Sequence, residues 1–239
     1  MPERSRSAGR PPALSRAEVV AAAIEVGLRD LTLQSVADRL EVSVSGLYRY
    51  VESRDHLVLL AADEIAGRFV MPIDDPSDAA SYLIGIGHGV RNLALEYDGL
   101  GDFFGRTGTR SPNWLRAIEQ FIHELVGFGL STPEAVALGT SVARFATSSV
   151  ERQRRAELDA EEAKRPGGPR NGAIPNQFGP TDLPLLQQGQ QGLVDMKTDD
   201  YFAWMLESFV DGLLVNLSNA PWRSTAGEPA TGTDESPET

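Results

Sequence analysis

A chain of 239 residues can form one large or two small domains, and 41% apolar residues is ordinary for a globular protein. No apolar run approaches the roughly 18–20 residues of a membrane span, and the absence of cysteine excludes disulfides and thiolate metal sites. The net charge of −12 excludes a generally basic, non-specific nucleic-acid binder. The N-terminal arginines have no apolar segment behind them, so no secretory signal is expected and the expected location is cytoplasmic. The acid is unevenly spread. Up to residue 54, Arg4, Arg6, Arg10, Arg16, Arg29, Arg39, Arg49 and Arg54 nearly balance Glu3, Glu18, Glu25, Asp30, Asp38, Glu41 and Glu52. Locally placed arginines could therefore hold an anion there, while the acidic remainder limits non-specific attraction.

Residues 1–14 are rich in Arg, Ser, Gly and Pro and read as a disordered basic arm. Ser15 followed by Glu18 is a capping box, and the helix after it carries Val19, Ala22, Ala23 and Val26 as an inward stripe. Between Thr32 and Leu57 two short apolar-periodic segments flank a break. The first places Val36, Ala37 and Leu40 on one face; the second pairs Leu47 with Val51. Ser43 stands at the N-cap of the second segment. This is a helix-turn-helix pattern whose second helix, 44–50, leaves Ser45, Gly46, Tyr48, Arg49 and Tyr50 for the outer face and its flanks. Small residues allow close approach to base edges, and hydroxyls and a guanidinium reach bases or phosphates. Ser53 caps a longer connecting helix over 54–68.

Leu31-Thr32, the VADRL helix, Val42-Ser43, GLYRYV at 46–51 and Arg54 together resemble the DNA-binding unit of the tetracycline-repressor (TetR) family. One departure stands out: Glu41 occupies the turn position where that family usually has Gly, a place where the backbone commonly turns left-handed. The resemblance implies double-stranded operator DNA as partner. It assigns Tyr48, Tyr50 and Arg54 mainly to phosphates, Ser45, Gly46 and Arg49 to bases or their flanks, and Thr32, Gln34 and Ser43 to the backbone nearby.

Met71-Pro-Ile-Asp-Asp-Pro breaks the helix pattern and marks a boundary, giving a DNA-binding domain over 15–69. A second domain is expected over 73–217. Its helix over 77–97 contains Gly85, Gly87 and Gly89, which suggest close packing against another element or room for a ligand. A turn-rich stretch over 98–112 precedes an amphipathic helix over 113–129, with Leu115, Ile118, Ile122 and Leu125 on one stripe and Gly129 at its end. Thr132-Pro133-Glu134 opens the next helix. It continues into a charge-balanced, solvated extension, and a Pro/Gly-rich mobile loop covers 166–197. The helix over 199–217 has an apolar stripe (Phe202, Leu206, Phe209, Val210, Leu213, Leu214, Leu217) too wide for a surface helix. Residues 218–239 read as a disordered acidic tail.

GTRSP at 108–112, SVARFATSSVERQ at 141–153, the Pro-rich loop and FAWMLESFVDGLLVNL resemble the tetracycline-repressor branch itself. The fold expected is all-α: an N-terminal three-helix unit plus a helical ligand-binding and dimerisation domain. The resemblance implies a homodimer through helices 133–155 and 199–217. The wide stripe of the last helix and the small face Ala135, Gly139, Ala143 and Ala146 point the same way. It also implies a small-molecule pocket, with His88, Asn92, Phe103, Phe104, Arg110, Trp114, Phe121, Arg144 and Phe145 as candidate lining residues. Aromatic walls with a few polar groups suit a drug-sized ligand. The branch's metal-binding histidines fall near Phe104 or Arg106 and at Arg144, so neither a metal nor any other cofactor is expected. His56, His88 and His123 are scattered, and no HExxH, phosphate loop or nucleophile elbow is present, so an enzyme is not expected. The function implied is a ligand-responsive transcriptional repressor. The alternative is a helical-bundle sensor or carrier of small molecules that does not bind DNA.

Overall fold

The computed structural model describes residues 14–70, 76–107, 111–165, 183–186, 188 and 198–220. Regular structure among them is helical throughout: α1 (Arg16–Val26), α2 (Leu33–Arg39), α3 (Val44–Leu47), α4 (Arg54–Ala66), α5 (Ala79–Glu96), α6 (Leu100–Thr107), α7 (Pro112–Gly127), α8 (Thr132–Ala163) and α9 (Thr198–Val215). The arm expected over 1–14 lies outside the described residues except for Leu14, and the tail over 218–239 except for 218–220. Most of the expected loop 166–197 lies outside them as well, but Pro184–Leu186 form a helical turn rather than irregular chain.

Two compact units emerge. The first joins residues up to Val70 to Val90–Glu119. In it α1 packs on α2 and α4, and α2 on α3. Val19, Ala23, Leu31, Val36, Leu47, Leu57, Ala61 and Ile65 are fully enclosed. Each large aliphatic among them contributes about 2 kcal/mol of burial. Leu93 of α5 and Leu100 and Phe103 of α6 belong to the same core. Sequence alone did not assign these three to the DNA-binding unit. Gly99 explains how they come in. It sits at φ 84°, and a Cβ there would stand 2.6 Å from the backbone nitrogen of Arg29. Only glycine lets the α5–α6 turn lie against the α1–α2 turn, where the Leu28 N–H donates to the Asp98 carbonyl at 3.1 Å.

The second unit contains residues 71–89 and 120–239 as far as they are described. Its interior is formed by Leu83 and Ile86 of α5, Leu125 of α7, Leu138, Val142, Ala146 and Val150 of α8, and Phe202, Leu206 and Val210 of α9. Gly87 answers the question raised by the glycines of α5: a Cβ there would meet Leu206 at 2.7 Å, so this glycine serves close helix packing. Ala135 and Ala146 of the small-residue face are covered within this unit, and Gly139 and Ala143 are half-buried. On α9, Phe209, Leu213 and Leu214 are half-buried, while Tyr201, Trp204 and Val215 are exposed.

Two expected elements differ. The helix expected over 44–50 ends at Leu47, and Tyr48–Tyr50 form a turn in which the Tyr50 N–H donates to the Leu47 carbonyl at 2.8 Å. Gly46 is a weak helix former, and an i to i−3 bond is the usual way such a short segment ends. On α7 the expected stripe holds at Leu125, with Ile118 and Ile122 half-buried, but not at Leu115. Trp114, Phe121 and Leu125 are buried, whereas Leu115 is 45% exposed. Two large aromatic side chains on the neighbouring row outweigh one leucine.

Candidate nucleic-acid interface

The turn between α2 and α3 sets the attitude of α3. The Glu41 N–H donates to the Asp38 carbonyl at 3.2 Å and the Val42 N–H to the Ala37 carbonyl at 3.0 Å. This is the Schellman pair of bonds, and it requires a left-handed residue between the helix cap and the residue after it. Glu41 is that residue, at φ 54°. The end of α7 is built the same way with Gly129 at φ 93°, and the Leu130 N–H donates to the Leu125 carbonyl at 3.3 Å. The departure noted in the sequence is thus a side chain held in a conformation that glycine adopts without strain.

Ser43 caps α3: its Oγ accepts the Gly46 N–H at 3.3 Å and lies 2.9 Å from the Ser45 hydroxyl. Thr32 and Ser35 form the reciprocal box of α2, with Ser35 N–H to Thr32 Oγ1 at 2.9 Å and Thr32 N–H to Ser35 Oγ at 3.0 Å. Gln34 donates to Asp38 one turn on, at 2.6 Å. Thr32, Gln34, Ser43, Ser45, Tyr48, Arg49 and Arg54 are exposed, and Gly46 is half-buried. The phenol of Tyr48 stands out most, at 58% exposure, while Leu47 beside it is enclosed. A short segment is therefore anchored by one leucine and presents Ser45, Tyr48 and Arg49 outward.

Two residues expected at phosphates have structural partners. The Tyr50 hydroxyl donates to the Leu14 carbonyl, tying the start of α1 to the reading turn. Arg54 Nε donates to the Leu31 carbonyl at 2.7 Å, and its Nη1 lies 3.4 Å from Asp55. Arg54 remains exposed enough for one face of the guanidinium to meet an anion.

The candidate effector residues are divided between the two units. Phe103 is buried in the core of the first unit, which also holds Trp114 and the exposed Asn92. In the second unit the half-buried His88 meets Phe202 edge-on with ring centroids 5.5 Å apart. Phe202 stacks on Phe145 at 5.9 Å, and Phe145 on Phe209 at 5.0 Å. Phe121 is buried there and Arg144 is exposed. Arg110 and the side chain of Phe104 lie outside the described residues. Sequence reasoning missed Phe202 and Phe209 as members of this aromatic row, although their seven-residue spacing places them on one helical face. A groove of about 490 Å³ lies elsewhere, in the first unit, between Leu28, Arg29, the start of α4 and Phe103.

Residues 71–217 match the family described as tetracyclin repressor-like, C-terminal domain, which is more than half of the chain. The chain belongs to the TetR family. An HTH-type transcriptional regulator of Saccharopolyspora erythraea is 25% identical over 143 residues, covering 58% of this chain and 61% of that relative. The alignment thus spans less than two thirds of the curated relative's length. Among solved structures, apo ActR from Streptomyces coelicolor is 20% identical with a TM-score of 0.66, covering 88% of this chain and 99% of ActR. ActR in complex with actinorhodin is 22% identical with a TM-score of 0.63, covering 90% and 99%. A TetR variant from Acinetobacter baumannii AYE in complex with minocycline is 22% identical with a TM-score of 0.63, covering 85% and 94%. At these identities the likeness to each solved structure is one of fold, and the all-α TetR architecture read from the sequence is the one observed.

Proposed function

We propose that the chain is a ligand-responsive, DNA-binding transcriptional regulator, a repressor that leaves its operator when a small molecule binds. The observation that carries this is the α2–α3 unit: Leu47 enclosed, the turn locked by a left-handed Glu41, and Ser45, Tyr48 and Arg49 presented outward. That is the geometry of a recognition segment entering a major groove. Thr32, Gln34, Ser43 and Tyr50 flank the contact surface, and Arg54 adds charge at the phosphates. Two such heads roughly one helical turn of DNA apart imply a homodimer. Tyr201, Trp204 and Val215 on α9 and Val136 and Leu158 on α8 are exposed large apolar side chains on the two helices assigned to that dimer.

The effector proposed is an aromatic small molecule, in keeping with the aromatic row His88–Phe202–Phe145–Phe209 and the buried Phe121 of the second unit. ActR is seen with actinorhodin and the Acinetobacter TetR variant with minocycline. A cytoplasmic location is proposed with it, in keeping with action on DNA. A mobility-shift assay on the DNA beside its own gene tests the reading: a discrete, salt-sensitive shift supports it, and no shift with any neighbouring fragment overturns it.

A further inference from the structure

The first turn of α7 is capped by α4. Pro112, the first helical residue, has no N–H to satisfy. The Asn113 N–H donates to Asp63 Oδ1 of α4 at 2.8 Å. The Trp114 N–H donates to Ser111 Oγ at 3.2 Å, and the hydroxyl of the fully enclosed Ser111 donates to Asp63 Oδ1 at 2.7 Å. The Asn113 side-chain amide donates to Asp63 Oδ2 and to the Asp63 carbonyl, both at 3.1 Å. Arg116 Nη1 donates to Asn113 Oδ1 at 2.9 Å, which fixes the orientation of that amide. Every free N–H of this turn therefore ends on Asp63 or on a serine that Asp63 holds. A carboxylate accepts at both oxygens, whereas an amide at this position would turn its NH₂ toward the Asn113 side-chain NH₂, whose orientation Arg116 fixes.

The other end of α4 is fastened too. Arg54 Nε holds the Leu31 carbonyl, one residue before the Thr32 cap of α2. Arg54 and Asp63 lie nine residues apart on one helix, about 14 Å. α4 thus joins the polar clasp at the start of α7 to the Arg54–Leu31 bond beside the α2 cap.

We propose that Asp63 is the coupling residue of the switch: it fastens the first turn of α7 to α4, so that a displacement of α7 is delivered to the DNA-reading segment. Asp63 is a positioning residue that touches neither DNA nor effector. The inference rests on the regulator reading above and supplies its transmission route.

Coupling is reciprocal, so DNA bound at the head must be felt at α7 through the same residue. The test is hydrogen exchange of the full-length protein with and without its promoter DNA, for wild type and Asp63→Asn. In wild type, DNA should slow exchange both in residues 33–50 and in residues 112–119, the latter by about fivefold. Asp63→Asn should bind the same DNA within about threefold, yet show no DNA-dependent slowing in residues 112–119. Undiminished slowing in that variant overturns the proposal. Asn113→Ala removes one leg of the clasp from the α7 side and takes the place of Asp63→Asn if that variant does not fold. A wild-type protein that shifts no promoter fragment sinks the regulator reading instead. The clasp is then decided in the DNA-free protein, where Asp63→Asn should speed exchange at Asn113 and Trp114 about fivefold and leave α1 unchanged. Equal rates there overturn it.

Discussion

Arg54 Nε donates a hydrogen bond to the Leu31 carbonyl oxygen at 2.7 Å, joining the first residue of α4 to the residue just before the α2 cap. The guanidinium therefore has an internal duty as well as the phosphate contact proposed for it. Arg54→Ala should lower stability by about 1 kcal/mol, the usual scale of one partly buried hydrogen bond. Urea unfolding followed by far-UV circular dichroism reads this as a lower midpoint at constant slope. An unchanged midpoint would leave Arg54 with the phosphate role alone.

Glu41 holds left-handed backbone at φ 54°, and its side chain is exposed. That conformation costs an L-residue about 1–2 kcal/mol. Glycine escapes the cost but loses roughly 0.5–1 kcal/mol through the greater freedom of its unfolded chain. Glu41→Gly should therefore stabilise the protein by about 0.5–1 kcal/mol and leave the Schellman bonds in place. Destabilisation of that size in a thermal melt would mean that Glu41 makes a contact of its own.

Tyr82 is 4% exposed, lies 5.9 Å from Phe128, and has its phenol pushed up to about 12 by burial and, secondarily, by the charge of Glu124. The folded value lies above the roughly 10 of an unfolded tyrosine. Its contribution to stability is thus complete below pH 10 and is lost as the pH rises toward 12. Tyr82→Phe keeps the ring and removes the titration, so the fall in stability across that interval should become shallower. Identical alkaline profiles for the two proteins would contradict the burial of the hydroxyl.

Trp204 is 57% exposed on α9, in line with Tyr201 and Val215. If this face meets a second copy, Trp204→Glu places a charge in the seam and should shift the protein toward single chains. Sedimentation velocity distinguishes the outcomes: a slower species of one chain supports the assigned interface, and an unchanged dimer moves the interface elsewhere.

Local chemistry was legible in the sequence. The caps at Ser15, Ser43 and Ser53 each accept the N–H three residues on, because that preference is settled within one turn. The inward pair Leu47 and Val51 followed from their four-residue spacing, and the odd position of Glu41 from the turn it must make. Long-range pairings were not legible. Asp63 and Ser111 are 48 residues apart, and nothing local to either announces the other. α7 begins at Pro112 with Ser111 as its cap, one residue before the start expected from its apolar pattern. Leu93, Leu100 and Phe103 fit any amphipathic helix; only the approach allowed by Gly99 places them in the head's core.

The central claim is that α3 and the turn after it read DNA, and Tyr48 is where it is most exposed to test. Fluorescence anisotropy of labelled promoter DNA should show Tyr48→Ala binding about tenfold more weakly than wild type, since a lost phosphate or base contact is worth roughly 1–3 kcal/mol. The variant's unfolding midpoint should be unchanged, because the phenol is 58% exposed. Equal affinity of the two proteins for that DNA would contradict the account.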